Sequence, residues 1–124
     1  MKSILIAEGH PIVRLGVSSI IQHLLDPVNI VEADDLNQVV RQLAQTRFEL
    51  LILDINIPGG NNLQMIKTIR LCQPGIKILI FSAQDQLRYG LNYLQAGANG
   101  YLGKNASGKE IENAINTLLN SPAK

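Results

Sequence analysis

The sequence predicts an α/β domain built on a parallel sheet with helices on both faces. Three observations carry this. Short apolar runs recur at near-regular intervals along the 124 residues, at Ile4–Ala7, Val28–Glu32, Leu50–Leu53, Ile76–Phe81 and, briefly, Gly100–Leu102. The runs are mostly continuous and rich in Ile, Val and Leu, as strands buried on both faces are. Segments with helical spacing separate them and follow the last. Strand–helix alternation repeated five times implies a doubly wound parallel sheet.

Each helix has its own signal. The first follows His10-Pro11, with proline at the first helical position. Its stripe is Val13, Val17, Ile20, Ile21 and Leu24, while Ile12 and Leu15 fall off it. Asp34 or Asp35 caps the second, whose stripe is Leu36, Val39, Val40 and Leu43. Asn61 or Asn62 caps the third, which carries Leu63, Ile66, Ile69 and Arg70 and ends at Pro74-Gly75. The fourth carries Leu87, Leu91 and Leu94 and stops at Gly97; Gly90 inside it predicts a soft helix. Ser107 and Glu110 form a capping box for the fifth, with stripe Ile111, Ala114, Ile115 and Leu118. Residues 1–120 read as one domain, and 121–124 as a frayed tail or the start of a linker.

Composition removes several classes. Hydrophobic residues make up 46% of the chain, enough for a core. The net charge is +1 with no basic patch, and aromatics are 4% without tryptophan, so direct nucleic-acid binding is not indicated. Cys72 is the single cysteine, read as a small helix hydrophobe; there is no disulfide framework or zinc cluster. The first apolar run stops at Glu8, too soon for a signal segment, and nothing approaches a membrane span. A cytoplasmic location follows as the expectation.

Asp54 is the residue that points to chemistry. It ends the run Leu50–Leu53, where an unpaired acid inside the strand would be costly. At the carboxyl end of a parallel strand it stands where open α/β sheets bind ligands. The Pro58-Gly59-Gly60 turn behind it positions the acid instead of continuing an element. Glu8, Ser82 and Lys104 lie just past other apolar runs and collect on the same edge. Two carboxylates with a backbone carbonyl suit Mg²⁺, a hard cation. A hydroxyl and an ammonium can bind the oxygens of a phosphoryl group. A carboxylate nucleophile forming an acyl phosphate is an established covalent strategy.

At these positions the chain resembles the receiver domains of two-component response regulators, of the NarL/LuxR subgroup. Ile4 to Gly16, with Glu8-Gly9-His10-Pro11-Ile12-Val13-Arg14, is similar to the family's opening. Leu53-Asp54-Ile55-Asn56-Ile57-Pro58-Gly59 resembles its acceptor loop, Ile80-Phe81-Ser82-Ala83 its switch strand, and Gln95 to Lys104 its fifth strand with lysine. The resemblance implies a flavodoxin-like (βα)5 fold with strand order 2-1-3-4-5. It implies Asp54 as phosphoacceptor, with Mg²⁺ held by Glu8, Asp54 and the main-chain carbonyl of Asn56. Ser82 and Lys104 contact the phosphoryl group, and Tyr101 is the aromatic that turns inward when Ser82 moves. It further implies a sensor histidine kinase as donor, a homodimer on activation, and DNA contact only through an output domain beyond Lys124.

One departure stands out. The family has two adjacent acids after the first strand, and this chain has Glu8-Gly9. Weaker Mg²⁺ binding and slower phosphorylation are expected. Gly9 also supports a second reading, a degenerate receiver that acts as a phosphorylation-independent interaction module. A flavodoxin-like cofactor binder is a third, disfavoured because Glu8-Gly9-His10-Pro11 is acidic where a phosphate cradle offers amides. His10 reads as structural, without a metal-ligand companion, and His23 as a helix-surface residue. Tyr89 and Tyr93 either cover the fourth helix or form a docking surface with Tyr101.

Overall fold

The computed structural model describes residues 1–60, 62–83 and 86–121; for 86–89 it describes the backbone alone. Asn61, the side chains of Leu87 and Tyr89, and the tail beyond Ser121 therefore lie outside the described residues. Five strands and five helices alternate: β1 Lys2–Ala7, α1 Pro11–Leu25, β2 Val28–Ala33, α2 Leu36–Gln45, β3 Leu50–Leu53, α3 Gln64–Cys72, β4 Lys77–Ser82, α4 Gln86–Ala96, β5 Gly100–Gly103 and α5 Gly108–Leu119. All strands pair in parallel in the order β2-β1-β3-β4-β5.

The two-residue period of each strand divides the core in two. Leu5, Leu51, Leu53, Ile78, Ile80 and Tyr101 face Val39, Leu43, Ile66, Ile69 and Tyr93 of α2, α3 and α4. Ile4, Ile6, Leu50, Ile52, Leu79 and Phe81 face Val17, Ile21, Ile111 and Ile115 of α1 and α5. Every residue of β3 is buried, which explains its unbroken apolar run.

Caps form where side-chain chemistry allows. Asp35, not Asp34, accepts the Gln38 amide at 2.8 Å. Asn62 Oδ1 accepts the Met65 amide at 3.0 Å, but it stands two residues before α3; the N-cap position is Leu63, which makes no side-chain cap bond. The Ser107–Glu110 capping box is present in both directions. Arg70, half-buried on α3, donates to the carbonyls of Ile76 and Gly97 and to Asn99 Oδ1, tying α3 to the ends of β4 and α4.

Two expectations change. The expected α4 stripe is not the buried face: Leu91 is 61% and Leu94 41% exposed, while Gly90 and Tyr93 are buried. A tyrosine ring beside a residue without a side chain fills the space against β5 that the leucines were expected to fill. Cys72 closes α3 but is exposed, so it is not part of the core. Ile12 and Leu15 of α1 are exposed, as their places off the stripe implied.

Candidate functional site

Register brings the acids together. Ala7 pairs with Leu53 at the last shared row of β1 and β3. One residue further, the backbone ladder continues: Asp54 N donates to Ala7 O at 2.9 Å and Glu8 N to Ala33 O at 3.2 Å. Glu8 and Asp54 thus leave neighbouring strands side by side. The strand order reverses between β1 and β3, the switch point at which such sheets bind ligands. On the other side, Lys104 N donates to Ser82 O at 2.8 Å, fixing the lysine just past β5.

The loop behind Asp54 is held by the acid itself. Asp54 Oδ1 accepts the Asn56 amide at 2.9 Å, and Gly60 N donates to Ile57 O at 2.9 Å. Ile55 and Ile57 point into the core. Gly59 has φ 86°, and a Cβ on Gly60 would stand 2.8 Å from Met65 Sδ and 3.0 Å from Ile55 O, so this turn requires both glycines.

Lys104 Nζ lies 2.9 Å from Asp54 Oδ2 and 2.9 Å from Glu8 Oε2. Toward Glu8 the hydrogen-bond geometry is met with Oε1, at 3.2 Å, so Oε2 is ion-paired yet accepts no hydrogen bond. Both carboxylates are 3% exposed and the lysine side chain 16%. Burial raises the Glu8 carboxyl, but hydrogen bonds from Lys104 and from His10 outweigh it and leave the group below its ordinary value. Burial lowers the Lys104 ammonium, while Asp54 and Glu8 more than offset this and hold it above its ordinary value.

His10 belongs to this cluster, contrary to its expected structural role. Its ring Nδ1 lies 2.7 Å from Glu8 Oε1 and 3.3 Å from Lys104 Nζ, and its amide donates to the same Oε1 at 2.9 Å. Ligand atoms of Glu8, His10 and Asp54 all fall within 4.8 Å of one another. The ring is free to turn back because His10 starts α1 without a side-chain cap bond. Arg14, also unassigned from sequence, donates to Glu8 O at 3.2 Å and pairs with Asp34 at 2.6 Å, steadying the strand end. The run His10-Pro11-Ile12-Val13-Arg14 held both signals. Ser82, fully buried as the last residue of β4, meets the site through its carbonyl. Tyr101 is buried, 6.3 Å from the Tyr93 ring, on the α4 side of the sheet.

Residues 4–116 match the family described as response regulator receiver domain. The chain belongs to that family. Similar curated proteins include the Fimbriae Z protein of Escherichia coli, 28% identical over 117 residues, covering 94% of this chain and 56% of that protein. The oxygen regulatory protein NreC of Staphylococcus carnosus is 32% identical over 117 residues, covering 93% and 54%. This receiver domain thus spans little more than half the length of these relatives. Among solved structures, a LuxR-family two-component response regulator from an Aurantimonas species is 29% identical with TM-score 0.84, covering 94% of this chain and 84% of that one. The fold is likewise shared with a CheY-like receiver of Methanospirillum hungatei, TM-score 0.84 at 19% identity, covering 96% and 94%. Receiver domains are signalling domains that generally bind Mg²⁺. Among the described residues no helix is long and apolar enough to cross a membrane.

Proposed function

We propose that this receiver domain accepts a phosphoryl group on Asp54 from a sensor histidine kinase and thereby switches a LuxR-type transcriptional regulator. The observation that carries the reading is the convergence of two buried carboxylates and one lysine at the switch point. An Asp54 oxygen attacks the phosphorus of the donor phosphohistidine. The O–P bond forms as the N–P bond breaks, and the electron pair left on the imidazole takes up a proton from water. Lys104 must leave part of its pairing with Asp54 to face the new phosphoryl oxygens, with the Ser82 hydroxyl as their second contact. Tyr101 then follows Ser82 as the reporter of the state.

The oxygen donors fit Mg²⁺. Glu8, Asp54 and the Asn56 carbonyl would hold it, and Lys104, paired with both acids at 2.9 Å, would shift to admit it. When bound, the ion offsets the anionic oxygens of acceptor and phosphoryl group. A receiver domain of a sensor histidine kinase from Pseudomonas aeruginosa was solved with magnesium coordinated in its cleft, at 22% identity to this chain, TM-score 0.82. On this reading residues 1–120 are the receiver, 121–124 a tail or linker, and an output domain lies beyond Lys124; the greater length of the relatives supports it. Homodimerisation follows activation, DNA is contacted by the output domain alone, and the location is cytoplasmic.

The second reading, an interaction module independent of phosphorylation, is favoured by Gly9. Beryllium trifluoride, a tetrahedral phosphoryl mimic, separates the two. With Mg²⁺ present, the switch reading expects amide shifts at Ser82, Tyr101 and Lys104 in two-dimensional NMR. An unchanged spectrum at saturating mimic supports the module.

A further inference from the structure

The donor set at this edge is not all oxygen. Glu8 and Asp54 are buried, and each offers a carboxylate; His10 adds an imidazole nitrogen 2.7 Å from Glu8 Oε1. Position 9, where the family's second acid would stand, is glycine. The site thus has one hard ligand fewer and one nitrogen more than an all-oxygen site. Mg²⁺ demands near-ideal octahedral oxygen ligation and gives up its waters reluctantly. Imidazole suits the later first-row ions, whose affinity for mixed nitrogen–oxygen sites rises along the series from manganese to copper.

We infer that Glu8, His10 and Asp54 form a mixed nitrogen–oxygen site that prefers a later first-row divalent ion, of the Co²⁺ or Zn²⁺ kind, over Mg²⁺. His10 Nδ1 is a ligand in the place of the absent acid. The three ligand atoms lie within 4.8 Å of one another, and a small side-chain shift brings them within the about 4.2 Å that opposite ligands of one ion span. The proton between Nδ1 and Glu8 Oε1 is what a cation taking both atoms displaces, and Lys104 Nζ, 2.9 Å from both acids, is the charge it must push aside. Glu8 Oε2 is buried and ion-paired to that ammonium without accepting a hydrogen bond. The inference rests on the reading of this edge as a cation site, and deepens it.

The test is direct binding without any phosphodonor. Co²⁺ is titrated into the chain in a Cys72→Ser background, because that thiol is exposed, and followed by visible absorption; Mg²⁺ is titrated by calorimetry. Co²⁺ is expected to bind at least about a hundredfold tighter than Mg²⁺. His10→Gln should weaken Co²⁺ about tenfold or more while Mg²⁺ affinity stays put, and His23→Gln should change neither. His10 is 70% exposed and makes no cap bond, so the variant keeps its fold. Unchanged Co²⁺ affinity in His10→Gln, or equal losses for both ions, overturns the inference and leaves the cation site standing. Failure of the unsubstituted chain to bind either ion overturns both.

Discussion

Replacing Gly9 by Asp restores the pair of adjacent acids, and the structure leaves room for it. A Cβ on Gly9 meets no heavy atom within 4 Å, and Gly9 is not one of the positive-φ glycines, which are Gly59 and Gly97. The substitution therefore adds charge without a clash or backbone strain. Position 9 is exposed, so water's screening governs the gain. Two unit charges 4 Å apart attract by about 1 kcal/mol in water, and a divalent ion doubles this to about 2 kcal/mol. That amounts to about thirtyfold in Mg²⁺ affinity at low salt, shrinking as salt rises. Calorimetric titration of Gly9→Asp and the parent chain with Mg²⁺ at two ionic strengths reads it. In the absence of divalent ions the variant should unfold slightly more easily, because a third acid joins Glu8 and Asp54, and Mg²⁺ should reverse the difference. A folded Gly9→Asp chain with unchanged Mg²⁺ affinity refutes the claim that the missing acid limits this site.

Three further outcomes follow from the same geometry. Lys104→Met leaves two carboxylates, each 3% exposed, without their cation; urea unfolding in chelator should show a loss of about 3 kcal/mol, partly recovered by a divalent ion. Gly60→Ala drives a methyl to 2.8 Å from Met65 Sδ and 3.0 Å from the Ile55 carbonyl, and the carbonyl cannot swing away, so about 1–3 kcal/mol is lost on urea unfolding; Gly75→Ala, with open space around it, is the control. Burial, with Tyr101 beside it, raises the Tyr93 phenol above its ordinary value. The stability this group contributes is fully present below about pH 10 and falls as pH rises through the folded value; Tyr93→Phe should flatten the decline measured between about pH 9 and about pH 11.

The sheet was legible because buried parallel strands leave an unbroken apolar signature, and β3 is buried at every residue. Strand ends then located Glu8, Asp54 and Lys104 without reference to side-chain geometry. The fourth helix was harder. Its leucines form a true helical stripe, but Gly90 and Tyr93 form another, and only packing against β5 decides which faces inward. His10 was misjudged for a different reason. Its ring and amide both meet Glu8 Oε1 across a single intervening residue, and a contact that local leaves no periodic trace. Asp35 rather than Asp34 as the cap was likewise set by backbone direction, which composition cannot encode.

Intact mass reports whether Asp54 is the phosphoacceptor. The chain and its Asp54→Asn variant are treated with a small phosphodonor and a divalent cation, then weighed by mass spectrometry. The parent chain is expected to gain the mass of one phosphate and the variant none. No gain under conditions that label a receiver with both acids, or an equal gain on Asp54→Asn, would contradict it.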